Sequence, residues 1–338
     1  MLERKVRPNL KHLFYRGHLC TGLLALGVFL LCSLNTPLQA QMRIALTSMS
    51  SDFAGIYTAS YLGLFAKEGV QVETVLISSS AVNVPALLAK EIDVLMSAGE
   101  AGLRVYNEGY KSIRIIGSII DKFTFILMAK PTISAPAELR GQTLGVTRFG
   151  GSLDTSLRYA LKYLKLDPKE NNITILQLGR SEDIVAALAA KKIDGAMLNS
   201  VFARKASQMG FKTLLDLGTM NIKYPQSSML TRQDVIDKKR DLLKKFLRAY
   251  FVGLDRFIKD KKLGIKILTT FTPVKDETIA SLDHDDWSKK YLDRQGVTTR
   301  ELIAGPLEQI GITKDADKEK FFSEVVNNTL VNEAKSSR

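Results

Sequence analysis

The stretch Leu87-Leu-Ala-Lys-Glu-Ile-Asp-Val-Leu-Met-Ser-Ala-Gly-Glu100 decides the fold. It reads as a helix end, a tight turn at Lys90-Glu91, a short buried strand over Ile92–Ser97 and a loop from Ala98 to Glu100. It then recurs. Leu188-Ala-Ala-Lys-Lys-Ile-Asp-Gly-Ala-Met197 repeats it with Ile92/Ile193, Asp93/Asp194 and Met96/Met197 all 101 residues apart. Gly109-Tyr110-Lys111 and Gly210-Phe211-Lys212 keep the same offset, as do Gly117-Ser118 and Gly218-Thr219. Two similar α/β halves in one register imply two facing lobes, with a cleft between them suited to a small molecule.

The pattern works outward in both directions. Met42–Thr47, Val70–Ile77, Ile113–Ile119 and Phe123–Met128 read as strands, with helices over Ala54–Phe65, Val82–Ala89 and Gly102–Glu108 between them. Thr143–Thr147 is the strand that begins the second half, whose strands and helices alternate to Leu217. Such alternation predicts a mainly parallel sheet covered on both faces. Arg232–Lys261 reads as one long amphipathic helix, with Leu243, Phe246, Leu247, Tyr250, Leu254, Phe257 and Ile258 on its apolar stripe. Lys335–Arg338 reads as a frayed tail. Asp93 and Asp194 begin their strands, away from the cleft, and read as turn-formers.

The 338 residues suffice for two domains, and 45% hydrophobic with 25% charged residues is a globular composition. Net charge is +13; residues 1–40 hold five basic residues and one acid, so the remainder carries +9. That surplus fits an anionic ligand or, more simply, a solvated basic surface. No Lys/Arg tract with interleaved aromatics marks a nucleic-acid face, and no nucleic-acid partner is expected.

Arg4, Lys5, Arg7, Lys11 and Arg16 precede an apolar run from Leu19 to Leu34, and Thr36-Pro-Leu-Gln-Ala40 closes it. This is signal-peptide architecture with cleavage after Ala40, and it implies export to the periplasm. An uncleaved anchor is the competing reading. Both cysteines, Cys20 and Cys32, lie in this leader, so the mature chain has no disulfide, thiolate nucleophile or cysteine metal site.

A family resemblance is met from Thr58 onward. Ala59-Ser-Tyr-Leu-Gly-Leu-Phe-Ala-Lys-Glu-Gly-Val-Gln-Val-Glu73 resembles the opening of periplasmic substrate-binding proteins that serve nitrate, sulfonate, taurine and thiamine-pyrimidine-precursor ABC transporters. Ala86-Leu-Leu-Ala-Lys-Glu-Ile-Asp93 is similar to its Ala-Leu-x-x-Gly-x-x-Asp element, with Lys90 where Gly is usual. Glu138-Leu-Arg-Gly-Gln-Thr-Leu-Gly-Val146 and Leu247-Arg-Ala-Tyr250 resemble two further elements, and the likeness runs from about Met42 to Ile312. The resemblance implies a type II periplasmic-binding-protein fold: two α/β lobes with a ligand cleft between them. The expected division is residues 1–40 leader, 41–128 first part of lobe one, 129–225 lobe two, and 226–338 completion of lobe one with C-terminal helices. Hinge segments are expected at Ala129-Lys-Pro131 and Lys223–Gln226.

Ligands in open parallel sheets sit beyond the carboxyl ends of strands. The loops there supply the candidate site: Ser48, Ser50, Asp52 and Phe53 after the first strand, then Ser79, Gly99 and Glu100, and in the second half Thr147, Arg148, Gly150, Gly151, Ser152 and Asn199. Ser78, Ser97, Arg180-Ser181 and Ser200 lie in the same loops. Gly150-Gly151 let backbone N–H groups approach a ligand, Ser152 is placed to cap the next helix, and Arg148 could fork onto a carboxylate or sulfonate. Glu100 would instead favour an amine-bearing pyrimidine or amino acid.

Chemistry is poorly supported. Outside the leader the one histidine is His284, in Asp283-His-Asp-Asp-Trp287, read as a solvated helix start rather than a metal site. No Gly-x-Ser-x-Gly elbow, Walker loop or Gly-x-Gly-x-x-Gly occurs, so no catalytic residue, metal or cofactor is expected. The expected role is capture of a small polar solute, most simply an anion, by a monomer that delivers it to a membrane-embedded ABC permease. A sensor module and a thiamine-precursor enzyme are the alternatives.

Overall fold

The computed structural model describes residues 40–78, 80–220 and 222–336. Residues 1–39, which hold all but the last residue of the expected leader, lie outside them. Among the described residues, ten strands form two five-stranded sheets. The first has the order β2-β1-β3-β10-β4, from β1 (Ala40–Leu46), β2 (Val70–Leu76), β3 (Val94–Ser97), β4 (Ile113–Lys122) and β10 (Lys223–Arg232). The second has the order β7-β6-β8-β5-β9, from β5 (Ile126–Ala129), β6 (Thr143–Val146), β7 (Thr174–Gln177), β8 (Gly195–Leu198) and β9 (Lys212–Asp216). In each sheet three strands are parallel and another strand runs antiparallel beside the third of them: β10 against β3, and β5 against β8.

Helices connect these strands. The first sheet carries α1 (Ala54–Tyr61), α2 (Leu64–Lys67), α3 (Ser80–Leu88) and α4 (Gly99–Asn107); the second carries α5 (Ser152–Tyr163), α6 (Ser181–Ala189) and α7 (Ser200–Gln208). After β10 come α8 (Gln233–Lys259), α9 (Lys261–Phe271), α10 (Glu277–Asp286), α11 (Arg300–Gln309), α12 (Asp315–Val325) and α13 (Thr329–Ser336). β3 and β8 are buried along their whole length, as strands covered on both faces must be. Leu243, Phe246, Leu247, Tyr250, Leu254 and Phe257 of the α8 stripe are all buried in the core that joins α8 to α1 and β1. Gly253 permits that approach: a Cβ there would lie 2.6 Å from the carbonyl oxygen of Gly55 in α1.

Four details differ from the sequence reading. The long helix stops at Lys259, because the Asp260 side chain accepts the N–H of Leu263 and starts α9. The C-terminal tail continues as α13 through Ser336, and Lys335 donates to the carbonyl of Arg294 at 2.9 Å. His284 is no solvated residue: it is 3% exposed inside α10, with its Nε2 2.8 Å from the carbonyl oxygen of Phe257. The passage between sheets is Phe123-Thr124-Phe125, ahead of the Ala129–Pro131 segment expected from the proline, because β5 pairs with β8 and β9 in the second sheet. Phe123 stacks on Tyr224 of the return passage, with ring centroids 3.9 Å apart. The two crossings therefore brace each other.

Candidate functional site

The carboxyl ends of β1, β3, β6 and β8 converge on one cavity of about 90 Å³ between the sheets. From the loop after β1 come Ser48, Ser50, Asp52 and Phe53, with Thr47 beside them. From the second sheet come Thr147, Gly151, Ser152 and Asn199. Eight of the sequence-predicted residues thus share one space.

Others lie elsewhere. Arg148 is not among the residues lining this cavity, and neither is Gly150; Gly150 and Glu100 line a neighbouring groove instead. Gly99 is packed against Pro225 and Ser228 at the start of α4. Ser79 lies outside the described residues. Gly151, at φ −86° and ψ 172°, takes the cap position of α5 where Ser152 was expected, and Ser152 is its first helical residue. The carboxylate of Asp154 reaches back to the Gly150 N–H at 2.9 Å, which fixes this turn.

Other lining residues come from the same post-strand loops or from outside them. Ser97 ends β3, Ala98 follows it, and Ser181 opens α6; all three belong to loops that the sequence offered. Thr124 and Phe125 form the first crossing, Gln226 and Ser227 the return crossing, and Trp287 comes from the turn after α10. Ser97, Ser78 and Ser181 were visible as loop hydroxyls. Gln226 and Ser227 were hidden because an antiparallel return strand offers its middle, not its end, to the cleft.

The polar balance of the cavity is specific. Ser97 Oγ, Gln226 Oε1 and Ser227 Oγ are buried without a hydrogen-bond partner. Their residues are 2%, 4% and 2% exposed. Buried polar atoms are normally paired, and each orphan costs about 1–3 kcal/mol, so three around one cavity call for an occupant. The cavity would hold roughly six to nine water-sized atoms at about 10–15 Å³ each.

Asp52 is the one ionisable side chain among the described lining residues. Burial raises its pKa above the ordinary 3.8; the Ser50 hydroxyl, which donates to it, opposes that rise, and the nearby charge of Asp283 adds to it. Ser48 and Ser50 hydroxyls are themselves hydrogen-bonded, so Ser48, Ser50 and Asp52 form one polar chain. Phe53, Phe125 and Trp287 supply flat apolar surface beside it. Asn199 divides its role: its side chain accepts the Phe202 N–H at 3.1 Å and caps α7 while bordering the cavity.

Asp283 is fully buried. Its two oxygens accept hydroxyls from Ser51, beside α1, and from Ser200, at the start of α7. Trp287 Nε1 donates to the same Ser200 hydroxyl at 3.3 Å, and Arg204 pairs with Asp286. One turn of α10 and the residues after it thereby tie the loop of the first sheet to a helix of the second.

With this geometry in place, comparison with known proteins is informative. Residues 50–262 match the family described as NMT1/THI5 like. A stretch of 133 residues is 28% identical to a protein of Brachyspira hyodysenteriae named as an ABC transporter periplasmic binding protein, covering 39% of this chain and 37% of that relative. The chain thus aligns with little more than a third of the length of the curated relative it matches. Among solved structures, a Bordetella bronchiseptica protein superposes with a TM-score of 0.74 at 18% identity, over 88% of this chain and 98% of that one. The periplasmic nitrate-binding protein of Synechocystis superposes at 0.69 with 15% identity, over 90% of each chain. The fold is that of periplasmic binding proteins.

Proposed function

The chain belongs to the NMT1/THI5-like family, and from that premise we propose that it is the exported solute-binding component of an ABC importer. It captures one small, planar, amine-bearing polar molecule between its two sheets in the periplasm and hands it to a membrane-embedded permease. The observation that carries this reading is the cavity lined by the orphaned oxygens of Ser97, Gln226 and Ser227. The Ser97 and Ser227 hydroxyls, which accept or donate, and the accepting Gln226 Oε1 share the cavity with the Asp52 carboxylate, and the acceptors among them suit a ligand with N–H groups. The sheets act as two lobes that close about the crossings at Phe123–Phe125 and Lys223–Gln226, as a ligand shifts the open–closed balance.

The anion expected from the sequence is supported by the N-termini of α5, α6 and α7, which border the cavity at Gly151-Ser152, Ser181 and Asn199, since helix N-termini favour negative charge. Against it, no Lys or Arg lines the cavity among the described residues, and an ionised Asp52 would repel an anion. Capture without chemistry is the proposed role, since hydroxyls and an amide can orient a ligand without a nucleophile–base pair.

A thermal-shift panel on residues 41–338 tests the reading. 4-Aminopyrimidine and related amines are expected to raise the melting temperature, while nitrate, taurine and methanesulfonate leave it unchanged. The reverse pattern would establish the anion reading instead.

A further inference from the structure

A second space opens beside the ligand cavity. It measures about 540 Å³ and lies between α3 and α4, with the start of α5 as its far wall. Val84 and Leu88 of α3 face Ala101 and Val105 of α4 across it. A space of this size is ordinary for an organic ligand group.

Two features connect it to the captured molecule. Ala98 and Ser152 line both spaces, so the groove and the cavity are neighbours on either side of these two residues. Its one deeply buried charge is already committed: the Glu100 side chain is 5% exposed, accepts the Tyr224 hydroxyl at 2.6 Å and pairs with Arg104. Burial, and then the Glu100 charge, push the Tyr224 phenol well above its ordinary pKa, so Tyr224 stays a donor to that carboxylate. Glu100 therefore helps hold the wall and makes no demand for a charged ligand group there.

We infer that the solute is a polar head bearing an apolar arm, alkyl or aryl, and that the groove between α3 and α4 receives the arm. This rests on the head cavity being the ligand site. The head satisfies Ser97, Gln226 and Ser227; the arm leaves past Ala98 and lies along Leu88, Ala101 and Val105. Specificity among amines then depends on the arm, because each buried methylene strengthens binding about fourfold.

The test compares 4-aminopyrimidine with its 5-butyl derivative by isothermal titration. The butyl compound is expected to bind at least tenfold tighter to the parent protein. Ala101→Trp, which fills the groove without bordering the head cavity, is expected to abolish that gain and leave 4-aminopyrimidine binding unchanged. Leu88→Trp gives the same readout from the opposite wall should Ala101→Trp fail to fold. Equal affinities in the parent would overturn the inference while leaving the head site intact. So would a gain untouched by either tryptophan, or a parent dimer that Ala101→Trp dissociates, which would give the groove to a second copy. Failure of both compounds to bind would overturn the head-site reading and this inference with it.

Discussion

Asp93 and Asp194 hold the same place in the two sheets. The carboxylate of Asp93 accepts the Arg43 N–H at 3.0 Å, and that of Asp194 accepts the Thr143 N–H at 2.8 Å. In return, the N–H of each aspartate donates to the carbonyl of the same strand residue, at 2.8 Å in both cases. Each is also paired with a lysine, Lys239 or Lys130. The repeated aspartate does more than form a turn: it staples the third strand of its lobe to the first. The preceding turns match too, with Lys90 and Lys191 both in the left-handed region at φ 66° and 56°.

Asp93→Ala and Asp194→Ala should therefore each destabilise the fold. Each leaves a strand N–H without its acceptor, at about 1–3 kcal/mol. Because the two lie in different sheets, their effects should add. Urea unfolding of the two single variants and the double variant measures both points.

Ser97→Ala and Ser227→Ala should separate binding from stability. Each hydroxyl is an unpaired buried oxygen in the unliganded protein, so its removal should leave stability unchanged or raise it slightly. Each is also a proposed ligand contact worth about 0.5–1.5 kcal/mol, so affinity should fall roughly threefold to tenfold. A melting curve and a titration on the same sample report the two effects.

The repeat, the alternation of strands and helices within each half and the convergence of post-strand loops were legible in the sequence because they rest on period and turn chemistry. Ile92–Ser97 and Ile193–Leu198 read as buried strands, and β3 and β8 lie wholly inside their sheets. Eight of the candidate residues meet in one cavity because loop position follows from strand polarity. What was not legible depends on tertiary approach. Arg148 reads as an anion clamp, yet its loop leaves it outside the lining of the cavity. Glu100 reads as a ligand carboxylate, yet Tyr224, 124 residues away, takes it up. Phe123–Met128 reads as one strand, but its first residues are the crossing, fixed by the stack of Phe123 on Tyr224.

Asp52 should make both stability and binding depend on pH. Its folded pKa is raised above the ordinary 3.8, chiefly by burial. From 3.8 up to the raised value the folded state holds a proton that the unfolded chain has lost, so this group's contribution to stability declines as pH rises through that window. Above it, the ionised carboxylate is available to a cationic or amine-bearing ligand, and affinity should rise. Asp52→Asn should flatten both dependences. Melting temperatures and titrations from about pH 4 to about pH 8 provide the comparison, a range that starts near the ordinary carboxylate value.

Trp287, the chain's one tryptophan, lines the cavity and makes its emission a reporter of that site alone. The most direct test is a fluorescence titration with 4-aminopyrimidine on the high-pH side of the Asp52 transition, where its carboxylate is ionised. A saturable change is predicted, weakened about tenfold to a hundredfold in Asp52→Asn, since a charged hydrogen bond contributes about 1.5–3 kcal/mol, and unaltered in Arg148→Ala. Emission that stays flat with the amine but saturates with nitrate or methanesulfonate, and does so more tightly in Asp52→Asn, would contradict the account.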